Sequence, residues 1–289
     1  MTEQESFEYV QKLAHSSSSL FSKIENVSGF NTPKRCTIDF KRLHEKIIAD
    51  PLPETLKHLI KKSDKGRDWL TIFRSAILGN VQEGLTASYY HLLNIESIEN
   101  EMIAIASKEI QNIDLKNGGI SGGNTSKLNY EYQAFVFALR RTLEYLASSI
   151  SSFFKCEGNR IRHVEKMIKG REPKEINEKI SKIVSKAIVQ LADILPSNDD
   201  GLSVRDTLAH WKAVDAGIFN ISEHDDEIII TLVGGGEKLE MKKPIENVNN
   251  SSSQKKCYAI ISLTPIIENQ ISRVENLIRD IYIEMKLIQ

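Results

Sequence analysis

The sequence predicts a mainly α protein: an up-and-down helical bundle, preceded by a helical N-terminal region and carrying a small antiparallel β-hairpin or meander as an insertion. Three observations predict it. Apolar residues recur at three and four over long stretches of the second half, which is the period of an amphipathic helix. Between residues 216 and 243 the period shortens to two, which is that of a strand. The 289 residues are 40% hydrophobic and 27% charged, enough apolar side chain for a substantial core.

The first half reads as a succession of short helices. Residues 7–24 have helical spacing at Phe7, Val10, Leu13, Leu20 and Phe21, weakened by four consecutive serines. After a brief extended piece, residues 35–40, a helix over 40–50 stops before Pro51 and another opens on Pro53. The stretches from Asp68 to Asn80 and from Gly84 to Gln111 complete the helical N-terminal region, assigned to 1–114. Residues 115–128, with four glycines among small polar residues, exclude a helix and predict a loop or linker. A phosphate-cradling loop is not expected there, because neither a preceding strand nor the required glycine–lysine spacing is present.

Residues 129–289 form the bundle region. A helix over 129–155 places Tyr132, Phe135, Leu139, Leu143, Leu146, Ile150 and Phe153 on one face. A second over 175–195 aligns Ile176, Ile180, Ile183, Ala187 and Leu191 and ends at Pro196. The β insertion, 216–243, comprises three extended stretches with Gly234–Gly236 as a turn, and 247–256 read as a polar loop. A last helix over 265–288 buries Ile267, Ile271, Val274, Leu277, Ile278 and Ile281.

The formal net charge of −1 gives no global pull toward nucleic acid or anionic lipid. Locally the picture differs. Between Arg160 and Lys186 nine Lys or Arg face four Glu. Within that run Arg160, Arg162 and His163 read either as a solvated helix face or as contacts to an RNA backbone. Cys36, Cys156 and Cys257 are scattered singly, without zinc or disulfide spacing, and are expected to be reduced thiols. The cluster His224, Asp225, Asp226 and Glu227 reads as a solvated turn rather than a metal site, because consecutive residues between strands point to different sides. The N-terminal stretch is acidic and polar where an export signal would be basic and then apolar, and no run approaches a membrane span. The expectation is a cytoplasmic protein with no membrane association.

The richest chemistry lies in residues 203–211, SVRDTLAHW. Ser203 followed by Asp206 resembles a capping box and predicts a helix start. With Val204 at zero and about 100° per residue, Leu208 and Trp211 lie within about 40° of it, Arg205 near 100°, Asp206 near 200° and His210 near 240°. Ala209 and Ala213 fill the strip between Arg205 and His210. A guanidinium suits a phosphate, an imidazole moves a proton, and a carboxylate four residues from it can orient the ring. These are parts for phosphodiester chemistry, and equally those of a capped surface helix with an internal ion pair; the residues alone leave both open.

Arg205, Asp206 and His210, as Arg, a polar residue, three more and His, resemble the signature of the HEPN superfamily. The helix order over residues 125–289 is similar to that family's bundle. The resemblance implies a metal-independent endoribonuclease with no cofactor, typically a toxin, abortive-infection or antiviral effector. It further implies a homodimer whose two motif helices share one cleft, with an antitoxin or other defence-system protein as a possible partner. His210 would be the general acid or base, Arg205 would stabilise charge on the phosphate and Asp206 would orient the pair; the expected product end is a 2',3'-cyclic phosphate. Lys212 stands where some toxins of this family have a modifiable tyrosine, and is a further candidate RNA contact. The alternatives are a catalytically inactive HEPN-like RNA-binding or regulatory adaptor, and a structural helical dimer.

Overall fold

The computed structural model describes residues 22, 24, 28–60, 66–109, 119–122, 125–191, 194–195, 219–224, 227–231, 243–244 and 257–288. The chain divides into two units, 1–33 and 34–289, and the bundle and the sheet belong to the second. The expected first helix, over 7–24, falls largely outside the described residues, as do 115–118, 123–124 and all of 201–218.

Among the described residues the protein is mainly helical, with a small sheet. Helix α1 (Phe40–Ile48) begins at Asp39, whose carboxylate accepts the Arg42 backbone N–H at 2.9 Å, and buries Phe40, Leu43 and Ile47 along one face. The residues expected to be extended before it, 36–39, are coil. Their ordering comes from Thr37, which reaches across to the last helix. A 3-10 turn (Glu54–Ile60) follows. Helix α2 (Trp69–Arg74) is capped by Asp68, which accepts from the Thr71 N–H at 3.1 Å and its hydroxyl at 2.8 Å.

From α2 the chain does not break. It passes through a π-turn (Ser75–Val81) directly into α3 (Gln82–Glu109), so Gly79 and Gly84 lie inside one continuous helical rod rather than between two helices. Glycine is tolerated at Gly84 for a specific reason: a Cβ there would stand 2.7 Å from the Thr142 hydroxyl and 3.1 Å from its Cα. This is where α3 meets α4 (Ser126–Phe153), the longest apolar stripe of the chain. All seven residues expected on its buried face are buried.

Helix α4 ends in a pattern that glycine usually supplies. Lys155 takes φ 54°, the Cys156 N–H donates to the Ser151 carbonyl at 2.9 Å and the Lys155 N–H to Ser152 at 3.0 Å. The buried hydroxyls of Ser149, Ser151 and Ser152 bond back to carbonyls three or four residues earlier, at 2.8, 2.8 and 2.9 Å, so this serine-rich end is buried without unmet donors. A 3-10 turn (Ile161–His163) leads into the short α5 (Val164–Ile168), and α6 (Lys174–Gln190) follows. In α6 the expected Ile180, Ala187 and Leu191 are buried, whereas Ile176 and Ile183 are only half-buried and the adjacent Asn177 and Val184 take the buried positions. The last helix, α7 (Thr264–Glu284), buries all six residues expected of it.

The four long helices alternate in direction. Gly84 faces Thr142 and His91 faces Glu131, so α3 and α4 are antiparallel. Glu99 bonds Thr264 while Tyr89 bonds Glu275, so α7 runs against α3. Lys179 reaches Glu284 and the Gln190 carbonyl accepts from Arg273, so α6 runs against α7. One apolar core runs from Ile38 to Leu287 through all of them. Residues 110–125 therefore join two helices of one core; Ser126–Leu128, expected in the loop, open α4, and α3, expected in an accessory region, belongs to the bundle itself.

Two buried carboxylates tie the bundle together. Glu99 on α3 accepts the backbone N–H groups of Leu263 (2.6 Å) and Thr264 (2.9 Å) and the Thr264 hydroxyl (2.5 Å), capping α7 from a neighbouring helix. Burial holds its carboxyl above the usual 4.5 despite these donors. Glu275 on α7 accepts the Tyr89 hydroxyl at 2.7 Å, the Thr37 hydroxyl at 2.7 Å and the Thr37 N–H at 3.3 Å.

The sheet has strand order β1-β2-β3-β5-β4, with β1 (Gly119–Gly122), β2 (Phe219–His224), β3 (Glu227–Thr231), β4 (Lys243–Pro244) and β5 (Cys257–Ile261). The expected antiparallel hairpin is β2–β3, in register at Ile221↔Ile230 and closing at His224↔Glu227. Two strands lie beyond the expected insertion. The glycine-rich segment supplies β1, antiparallel to β2, and β5 runs parallel to β3, which makes the sheet mixed. Of the last stretch expected to be extended, 238–243, only Lys243 is described; it begins β4. Among the described residues no helix is long and apolar enough to cross a membrane.

Candidate nucleic-acid interface

Arg205, Asp206, His210 and Lys212 all lie outside the described residues. In chain order they stand between α6 and α7. Of the candidates that are described, Arg160 and His163 are exposed and Arg162 is partly buried, all three on the turn that leads into α5.

That turn forms one side of a cleft. Helix α5 is a single turn and a half, stopped by Gly170, whose φ of 72° is the left-handed conformation that reverses the chain. The reversal is held from the other side: the buried Asn177 of α6 donates its side-chain amide to the carbonyls of Ile168 and, at 3.0 Å, Arg171. Ser185 donates to Glu165 at 2.8 Å, a second bond between the two helices. The result is a concave surface of about 620 Å³ lined by Arg162, Glu165, Lys166, Lys169, Gly170, Asn177, Glu178, Ser181 and Lys182.

Every side chain of this lining is polar or charged. Four cations stand against two carboxylates, one of which is already engaged by Ser185. Other lysines of the same basic run are neutralised elsewhere. Lys179 lies between Glu175 at 3.1 Å and Glu284 at 3.3 Å, and its bond to Glu175, then that to Glu284, raises its pKa. Lys174 lies 3.8 Å from Glu172. Lys166, Lys169 and Lys182 are exposed and make no ion pair with a described residue. These three are the residues that reading the sequence did not single out. Their signal was the charge run itself, but only the turn at Gly170 shows that Lys166 and Lys169 on one helix and Lys182 on the next converge.

The Glu275 node is enclosed, with its acceptors filled by Thr37 and Tyr89. Cys36 beside it is no nucleophile, because burial pushes its thiol up to about 12, with the Glu275 charge adding to the effect. Cys156 is likewise raised by burial. No three His, Cys, Asp or Glu side chains of the described residues converge as a metal site would require. His224 and Glu227 pair across the β2–β3 hairpin, and Asp225 and Asp226 lie outside the described residues.

No family model matches the chain, and neither a curated protein nor a solved structure matches it.

Proposed function

We propose that this chain is a metal-independent endoribonuclease of HEPN type, acting as a toxin, abortive-infection or antiviral defence effector, with its active site completed by a second copy of the chain. One observation carries the reading: the sequence Arg205-Asp206-Thr207-Leu208-Ala209-His210 stands, in chain order, between two long helices of an alternating bundle. Support comes also from the basic cleft on α5 and α6, which suits a polyanion.

The chemistry needs no group beyond the chain and its substrate. The RNA 2'-oxygen attacks the adjacent phosphorus as the bond to the 5'-oxygen breaks. His210 takes the proton from the 2'-hydroxyl, and an imidazolium from the partner's copy of the motif returns one to the leaving 5'-oxygen. Arg205 holds the non-bridging oxygens as their charge grows, and Asp206 orients the pair. The products are a 2',3'-cyclic phosphate and a 5'-hydroxyl.

Purified protein incubated with mixed tRNA and mRNA in EDTA tests this. Cleavage by the wild type, abolished in both Arg205→Ala and His210→Ala with folding and oligomeric state unchanged, is the expected result. RNA binding with no cleavage under any condition tried would replace the enzyme with an RNA-binding adaptor.

A further inference from the structure

We infer that the cleft between α5 and α6 is a binding groove for the phosphate backbone of single-stranded RNA, with Lys166, Lys169 and Lys182 as its principal contacts and Arg162 at its edge. Four features of the cleft fit the phosphate backbone of a polyanion. Its cations converge from two helices held in fixed relation by Asn177 and Ser185, so the charge is presented in a concavity rather than spread over a face. Three lysines in no ion pair with a described residue are available to an anion without first breaking an ion pair among the described residues. At about 620 Å³ the cleft exceeds what a single inorganic ion fills, and suits a chain of phosphates.

The fourth feature is the lining, which contains no aromatic and no apolar side chain. Base recognition in single strands relies on stacking platforms, and insertion at a membrane surface relies on buried apolar side chains. Neither is offered here. The groove therefore reads charge, not sequence, and its affinity falls steeply with salt. Asn177, committed to the carbonyls of Ile168 and Arg171 and accepting from the Ser181 hydroxyl at 3.5 Å, holds the groove in shape rather than contacting the ligand.

The choice of RNA rests on the proposed nuclease reading, but the groove is tested by binding alone. The probe is a fluorescent 2'-O-methyl RNA of roughly 20 nucleotides, which lacks the attacking hydroxyl and cannot be cleaved by that route. Anisotropy titrations across a salt series are run with wild type, the triple variant Lys166→Gln/Lys169→Gln/Lys182→Gln and Glu178→Lys. Each single-strand phosphate contact contributes about 0.7 to the slope of log affinity against log salt, so the triple variant should lose about 2 from that slope and bind at least about tenfold more weakly at low salt. Glu178→Lys should bind several-fold more tightly.

Unchanged affinity and slope in the triple variant, or no gain from Glu178→Lys, overturns the groove while leaving the nuclease reading intact. A wild type that binds no RNA but binds phosphatidylserine vesicles overturns the groove and counts against the nuclease reading as well. Loss of binding in the triple variant, combined with no cleavage of ordinary RNA by wild type, upholds the groove and refutes the nuclease. The substituted side chains are exposed, and the gain expected from Glu178→Lys cannot arise from misfolding.

Discussion

The close approach of α3 and α4 can be tested by comparing two glycines of the same helical rod. Replacing either Gly79 or Gly84 with alanine removes chain flexibility and improves helix propensity, a gain of about 0.5–1 kcal/mol each. At Gly79 a Cβ meets nothing within 4 Å, so that gain should appear undiminished. At Gly84 it would stand 2.7 Å from Thr142 Oγ1, 3.1 Å from Thr142 Cα and 3.3 Å from its Cβ. The hydroxyl is bonded to the Ala138 carbonyl at 3.0 Å and cannot simply swing away, and Cα is backbone, so the helices must separate. Overpacking of this kind costs about 1–3 kcal/mol, which outweighs the propensity gain. Urea denaturation should therefore find Gly79→Ala more stable than wild type and Gly84→Ala less stable, the two separated by about 1–3 kcal/mol. Thr142→Ala in the Gly84→Ala background should recover part of the loss. If Gly84→Ala proves as stabilising as Gly79→Ala, the close contact of α3 with α4 at Thr142 is refuted.

Further outcomes arise from the buried polar groups and the helix ends. Tyr89→Phe removes one donor to Glu275 and should cost about 1.5–3 kcal/mol, whereas Glu275→Ala strands the Tyr89 and Thr37 donors together and should cost more, both read by urea denaturation. Glu99 has a folded pKa raised by burial, so its contribution to stability is fully present below the unfolded value near 4.5 and is lost as pH rises through the folded value. Stability of wild type relative to Glu99→Gln should accordingly fall as pH is raised above about 4.5; a constant difference would contradict the assignment. Lys155→Gly should stabilise, by up to about 1 kcal/mol in thermal unfolding, because Lys155 holds a φ of 54° that costs a side-chain-bearing residue about 1–2 kcal/mol.

What could be read from the sequence tracks its periodicity. The stripes of α4 and α7 were legible residue by residue because their apolar faces are unbroken. In α6 Ile180, Ala187 and Leu191 were legible, but Ile183 gave way to Val184, because the two are adjacent apolar residues and only packing shows which one faces the core. The continuity of α2 into α3 was hidden by two glycines, which read as punctuation yet here serve an unobstructed turn and a close helix contact. Strands β1 and β5 pair with partners far along the chain, and no local turn signals such pairing.

The charged residues divide in the same way. Glu99 and Glu275 occupy core positions, and their trace in the sequence is a carboxylate standing at helical spacing among apolar residues, four after Ile95 and four after Ile271 respectively. The basic run of 160–186 was visible as composition, but which of its lysines share a surface depended on the reversal at Gly170. The motif of Arg205, Asp206 and His210 is legible in the sequence alone.

The most direct test of the central claim is the chemistry of the cut end. RNA digested by the wild-type protein in EDTA should carry 2',3'-cyclic phosphate and 5'-hydroxyl termini, detectable because the 3' ends resist poly(A) addition until the cyclic phosphate is removed, and His210→Ala should yield no such ends. Termini bearing 3'-hydroxyl and 5'-phosphate, or cyclic ends that persist undiminished in His210→Ala, would contradict the assignment of this chain as a HEPN-type ribonuclease.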